Sequence, residues 1–382
     1  MDLITTAFDY NFRRSQEDPH TDAVDKFNSK YVVIYLAIST VLISADIFFG
    51  KPIECWVPED FGKSDYVSYI IEFCWLNHTR YVDPSSATYD LENSRNITYY
   101  QWVGFILIFL IGIYITPTFV WKALYHNLDV SMSHLCDLAA KYNISNNEKL
   151  RQDCVNQITS SLVKYLSYQK YNRFAWTFMA IKVLALMCSI FAILILCVIF
   201  GREYAFFSIR FLYLLANEQR IDSAVFPLET MCDIKLYVQN LNSSNNYTLP
   251  CMLVHNLFTI FIFTFLNALQ WLVVCANCFN IIVWAERLTI RGRKRFISSY
   301  LYNTPVMSNR VNEKLYYRFI DTLRPDGAVI LHLLSTNSSD YAVAAIVREM
   351  CLVSQRTHIE PKMEADTDVE DIMGAEQGAK VD

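Results

Sequence analysis

The chain has 382 residues, of which 53% are hydrophobic and 15% aromatic, with a formal net charge of -5. A mean hydropathy of +0.19, unevenly distributed, excludes an ordinary soluble globular protein. Glycine and proline are scarce, which argues against long linkers, and the eleven cysteines leave at least one thiol unpaired.

Residues 1–30 are polar and mixed in charge, without the apolar core or small-residue cleavage site of a signal peptide. Leu3, Ile4, Ala7 and Phe8 make a weak amphipathic pattern, and Asp22 to Asn28 reads as a short capped helix leading into a membrane. The first span is 31–49. Its one charge, Asp46, lies near an end, where it costs little; at mid-bilayer it would cost about 2.5–3.5 kcal/mol, so an interfacial or pore-facing position is expected. A polar loop, 50–101, carries Cys55, Cys74, an excess of acids and N-x-[ST] sequons at Asn77 and Asn96. The second span, 102–121, is apolar and uncharged, long enough for a hydrocarbon core of about 30 Å. Tyr99, Tyr100 and Trp102 crowd one end at headgroup level, and Pro117 is expected to kink the last turn.

The loop 122–173 has helical patterning and leans basic, as loops on the cytoplasmic side do. The third span is 174–201, and Lys182 near its start is expected to snorkel to the interface. A second outer loop, 202–251, holds Cys232, Cys251 and sequons at Asn242 and Asn246, with a short strand near 234–238. The fourth span, 252–284, carries a polar ladder of Asn267, Gln270, Asn277 and Asn280, read as hydrogen bonding between helices. Arg287, Arg291, Arg293, Lys294 and Arg295 then stop transfer. Residues 285–354 read as a helical cytoplasmic domain and 355–382 as a disordered acidic tail. The fold class expected is an all-α membrane protein with four transmembrane helices per subunit and both termini in the cytoplasm. Two disulfide-bonded extracellular loops carry a short β element.

The outer cysteines are the strongest chemical signal. Each outer loop has two, at the same separation, in an oxidising compartment. Four cysteines allow three pairings, and spacing alone does not choose among them. The other seven are expected to be small buried apolar residues. No enzyme constellation is present: no P-loop, no G-x-G-x-x-G and no H-E-x-x-H. Cys275-x-x-Cys278 lies in an apolar helix, and His78, His126, His134, His255, His332 and His358 lack metal-ligand spacing. No catalytic residue, cofactor or metal is expected. The basic run at Arg291 to Arg295 reads as a topology anchor touching anionic lipid, with no nucleic-acid partner.

Several motifs resemble the innexins, the invertebrate gap-junction proteins, along Asp22 to Arg348. Tyr99-Tyr-Gln-Trp-Val103 at the mouth of the second span is similar to the family signature, and Asp25-Lys-Phe-Asn28 to its pre-span motif. Gly50-Lys-Pro-Ile-Glu-Cys-Trp-Val-Pro58, Phe73-Cys-Trp75, Phe226-Pro227, Cys232-Asp233, Tyr247-Thr248, Cys251 and Asn256-Leu-Phe258 resemble its two outer loops. Arg324-Pro-Asp-Gly327 resembles its cytoplasmic module. Gly104 departs from the usual proline, and Thr259-Ile-Phe-Ile262 replaces a charged continuation. The resemblance implies a passive large-pore channel of homo- or hetero-oligomeric innexin subunits, eight per hemichannel, docking with a hemichannel of the neighbouring cell. For a rigid docking surface the expected disulfides are Cys55 with Cys251 and Cys74 with Cys232. The amino-terminal segment would line the pore mouth through Asp2, Leu3, Thr5, Thr6 and Asp9, with Asp46 a further candidate, and the acids would favour cations. Glycans at Asn77, Asn96, Asn242 or Asn246 are topologically available, and one at Asn246 would crowd docking. An undocked release channel, like the related pannexins, and a four-span adhesion or scaffold protein are the alternatives.

Overall fold

A computed structural model describes residues 21–58, 64–77, 79–81, 95–169, 171–217, 225–237, 244–302 and 313–354. Four of its helices are long and apolar enough to cross a membrane. The first, α1, is Ala23–Phe49, wound as a π-helix over Phe27–Val32. Asp22 and Asp25 start it as a reciprocal cap: Asp25 N donates to Asp22 Oδ1 (2.9 Å) and Asp22 N to Asp25 Oδ2 (3.3 Å). It stops at Gly50, ahead of Pro52. Helix α2, Ser64–Leu76, stands in what the sequence suggested was only a polar loop.

A short 3-10 turn, Tyr100–Trp102, leads into α3, Val103–Tyr125, which continues through Pro117. Helices α4 (Met132–Ile144) and α5 (Glu148–Tyr168) follow, the latter capped by the Asn147 side chain accepting from Lys149 N at 3.1 Å. Helix α6 is Arg173–Phe200. Gly201, at φ 101°, turns the chain into a 3-10 stretch, Arg202–Phe206, and then α7, Phe207–Ala216. Only glycine enters that backbone region without strain. Helix α8, Val254–Leu288, has 35 residues, about 52 Å at 1.5 Å per residue. Helices α9 (Ile290–Tyr302) and α10 (Glu313–Asn337) and a helix over 340–354 are the last of the described elements. Arg324, at φ 51°, breaks α10, and Pro325 starts its second half, where a missing N–H costs nothing.

The chain divides into two units. One comprises residues 27–119 and 184–278. It contains a five-stranded antiparallel sheet ordered β1-β5-β4-β2-β3, with β1 Glu54–Cys55, β2 Thr79–Tyr81, β3 Arg95–Ile97, β4 Glu229–Tyr237 and β5 Ser244–Met252. The β4–β5 hairpin is longer than the strand expected near 234–238. Its register pairs Glu229 with Met252 through to Tyr237 with Ser244. The core of this unit is aromatic. Phe200 lies 5.0 Å from Tyr99, 4.9 Å from Phe226 and 5.0 Å from Phe263, ring centre to ring centre. Edge-on and tilted contacts like these add to the area each ring buries.

The other unit comprises residues up to 26, 120–183 and from 279 onward, and among its described residues the regular elements are helices. Ile158, Leu162, Ile320, Leu323, Ile330 and Ile346 are among its buried side chains. Trp284 packs 4.7 Å from Phe178, and Phe178 5.8 Å from Trp121.

Candidate functional site

The loop between α1 and α3 and the loop between α7 and α8 form one covalent body. Cys55 on β1 stands opposite Cys251 on β5 in the register and is bonded to it. Cys74, near the end of α2, is bonded to Cys232 on β4. Both bridges therefore join one loop to the other, across 196 and 158 residues of sequence. Arg80 on β2 also forms an ion pair with Asp233 on β4. The residues of the YYQWV signature pin this body to the helix ends. The Tyr99 hydroxyl donates to Val225 O (3.0 Å) and accepts from Asn256 Nδ2 (3.2 Å), which also donates to Pro227 O (2.7 Å). The Tyr100 hydroxyl and the Gln101 amide both donate to Trp75 O.

Asp46 is held within this end of the unit. Its Oδ2 lies 2.7 Å from Nδ1 of the fully buried His255, and the imidazole meets Trp75 edge-on at 6.1 Å. Asp46, a pore candidate in the sequence, is a half-buried carboxylate paired across 209 residues of sequence. Asn77, Asn96 and Asn246 are exposed, the last two on β3 and β5. Asn242 and the proposed pore-mouth residues Asp2, Leu3, Thr5, Thr6 and Asp9 lie outside the described residues.

The polar ladder of α8 has a task more specific than bridging helices. Asn267 Nδ2 donates to Tyr204 O (2.9 Å), and its Oδ1 accepts from Ser208 N (3.2 Å) and Ser208 Oγ (2.8 Å). Trp271 Nε1 donates to Ala205 O at 2.7 Å. Tyr204 O and Ala205 O belong to the 3-10 stretch between α6 and α7, where Tyr204 O also accepts from Phe207 N, and Ser208 N belongs to the first turn of α7, where an amide has no helical partner. Apolar surroundings allow such a break only where neighbours supply the missing bonds. Gln270 accepts from the Tyr204 hydroxyl (3.2 Å), and Asn277 bonds Ser189 (3.4 Å) and Asn28 (2.7 Å). The sequence reading missed α7, although Gly201 ahead of two charges signals the break.

In the helical unit, Lys182 does not snorkel. It is 2% exposed and forms ion pairs with Asp22 (2.7 Å) and Asp25. Asp326, in the Arg-Pro-Asp-Gly motif, caps α6: its Oδ1 accepts from Ala175 N (2.9 Å) and its Oδ2 from the Tyr165 hydroxyl (3.3 Å). Burial raises the Asp326 pKa, and the backbone donors of the cap oppose the rise. His332 lies 3.8 Å from Phe296, ring to ring. Its pKa is brought down to about 4 by burial, with the nearby Arg287 charge adding to the effect. Cys275 and Cys278 are exposed free thiols, without the surrounding ligands a metal requires.

Known proteins resemble this chain along most of its length. A sequence model of the innexin family matches residues 21–353. Innexin-17 of Caenorhabditis elegans is 28% identical over 348 residues, covering 86% of this chain and 93% of that protein. Innexin unc-9 of the same organism is 25% identical over 343 residues (84% and 88%), and innexin-19 of Caenorhabditis briggsae 27% over 382 residues (86% and 85%).

Proposed function

The chain belongs to the innexin family, and from that premise we propose that this multi-pass membrane channel subunit forms docked intercellular channels. Two hemichannels, each a ring of eight subunits, meet through the disulfide-tied loops, and ions and small solutes pass down their gradients. The observation that carries this reading is the joint sheet. Strands of the first loop flank the hairpin of the second on both sides, and two bridges lock them. A surface rigid before contact loses less conformational entropy on binding. Both termini lie in the cytoplasm, supported by the basic run from Arg287 to Arg295 beside α8. Residues 2–9 line the pore mouth, where Asp2 and Asp9 attract cations.

The test is junctional conductance between two apposed cells that each express only this chain. Junctional current that disappears on Cys55→Ser or Cys251→Ser, with surface protein retained, supports docking. Current across each cell's own membrane without junctional current refutes it. One observation favours that second, undocked reading: the Asn246 sequon is exposed on β5, a strand of the docking sheet. A glycan there is bulky. Gain of junctional current in Asn246→Gln would assign the undocked state to that modification.

A further inference from the structure

The turn that precedes the first span is tied down by buried charge. Lys182, on the first third of α6, is 2% exposed and rests 4.6 Å above the Phe178 ring. Its ammonium reaches Oδ2 of both Asp22 and Asp25. The same Asp22 oxygen accepts from Asn280 Nδ2 (2.8 Å) and Trp284 Nε1 (2.8 Å), both on α8. Next to it, Lys26 Nζ donates to Asn337 Oδ1 at the end of α10 (3.2 Å). Helix starts of this kind need only an exposed capping side chain. Here the cap also takes part in a buried cluster of two carboxylates and one ammonium, anchored to three further helices. Burial works against the Asp22 carboxylate, but Lys182 and the surrounding donors outweigh it and bring its pKa down to about 2. Asp22 is thus an anion at every physiological pH and depends on that lysine.

We propose that Lys182 is the positioning residue of the amino-terminal segment: by seating the Asp22–Asp25 turn it sets where that segment leaves for the pore mouth. The proposal rests on the reading of residues 2–9 as pore-lining. Asp9 is 13 residues from Asp22, at most about 45 Å of extended chain. The seat of Asp22 therefore bounds where Asp9 can lie. Removing one partner of a buried charge pair leaves the others uncompensated, enough to shift the balance between seated and released turn about a hundredfold or more.

The test compares unit conductance and cation-to-anion permeability ratio in channels of the full chain at matched surface density. Lys182→Met leaves two buried carboxylates facing each other and is expected to lose the wild-type conductance level and its permeability ratio. Lys182→Arg, which keeps the charge, is expected to restore both. Lys182→Met combined with Asp25→Asn returns the cluster to its original net charge and is expected to recover them in part. Wild-type conductance and selectivity in surface-expressed Lys182→Met overturn the proposal. So does a defect that Lys182→Arg repairs only in protein amount. Should Lys182→Met be retained inside the cell, Asp22→Asn decides on the same readouts, and unchanged values overturn the proposal. The paired Asp2→Asn/Asp9→Asn variant separates the two readings. If its selectivity is unchanged while Lys182→Met alters conductance, the cation-attracting role of Asp2 and Asp9 fails and the positioning role stands.

Discussion

Replacing Asn267 with leucine removes an amide of nearly the same volume and orphans the groups it serves. Tyr204 O and Ser208 N lose their side-chain partner, and the Ser208 hydroxyl loses its acceptor. Ser208 N, left unpaired, costs about 1–3 kcal/mol, whereas Tyr204 O keeps its bond from Phe207 N. Side-chain hydrogen bonds measured within membrane proteins average only about 0.6 kcal/mol, so three of them set a lower bound near 2 kcal/mol. A loss of about 2–3 kcal/mol follows. For a unit of this size it corresponds to a fall of about 4–12 °C in thermal midpoint. The assay is thermal denaturation of the purified channel in detergent, followed by the loss of the oligomer peak on size exclusion. Amide exchange of residues 202–210 should rise in parallel, because that stretch depends on Asn267 for its partners. Ser208→Ala, which removes only the hydroxyl, should cost under about 1 kcal/mol. An Asn267→Leu channel as stable as the parent, or no worse than Ser208→Ala, would refute the account of this break as a backbone seam closed by one side chain.

Asp326→Ala removes the cap of α6 and strands the Tyr165 hydroxyl, costing about 2–4 kcal/mol. Faster amide exchange at Ala175 is the local readout. His332 is neutral in the fold, its pKa held near 4 against about 6.5 in the unfolded chain. Its contribution to stability is therefore complete above pH 6.5 and lost as pH falls from there towards 4. His332→Phe should flatten that part of the stability profile, and an unchanged slope would count against it. Cys74→Ser with Cys232→Ser opens a bridge that, with Cys55–Cys251 intact, closes a loop of about 40 residues, worth about 4 kcal/mol in the chain-entropy account. Surface biotinylation should show a large drop in mature protein.

How much of this was legible follows from how far apart the partners lie. The four spans could be read directly, because about twenty apolar residues in a row have few other uses in a folded protein. The outer cysteines announced themselves by number and compartment. Lys182 did not: its partners lie 157 or more residues away, and a lysine near a span end ordinarily reaches water. His255 was hidden as the partner of Asp46 for the same reason, being 209 residues distant. Helix α7 was missed because Arg202, Glu203 and Arg210 make its neighbourhood resemble a loop. Its apolar residues acquire meaning only against Phe226 and Phe261, which Phe207 and Phe211 meet. The hairpin exceeded the expected strand because its length depends on a partner strand with the wrong alternation to be recognised alone.

The strand order has a consequence for how such channels can be recombined. The hairpin of the second loop is inserted between β1 and β2 of the first, so each loop contributes part of the other's edge. A chimera that takes one loop from a relative must reproduce the register Cys55 opposite Cys251 and Arg80 opposite Met231 with foreign side chains. Transplanting both loops together carries that register intact. The outer body is then inherited as a single cassette made of two distant stretches of sequence, and exchange of either stretch alone is selected against by folding.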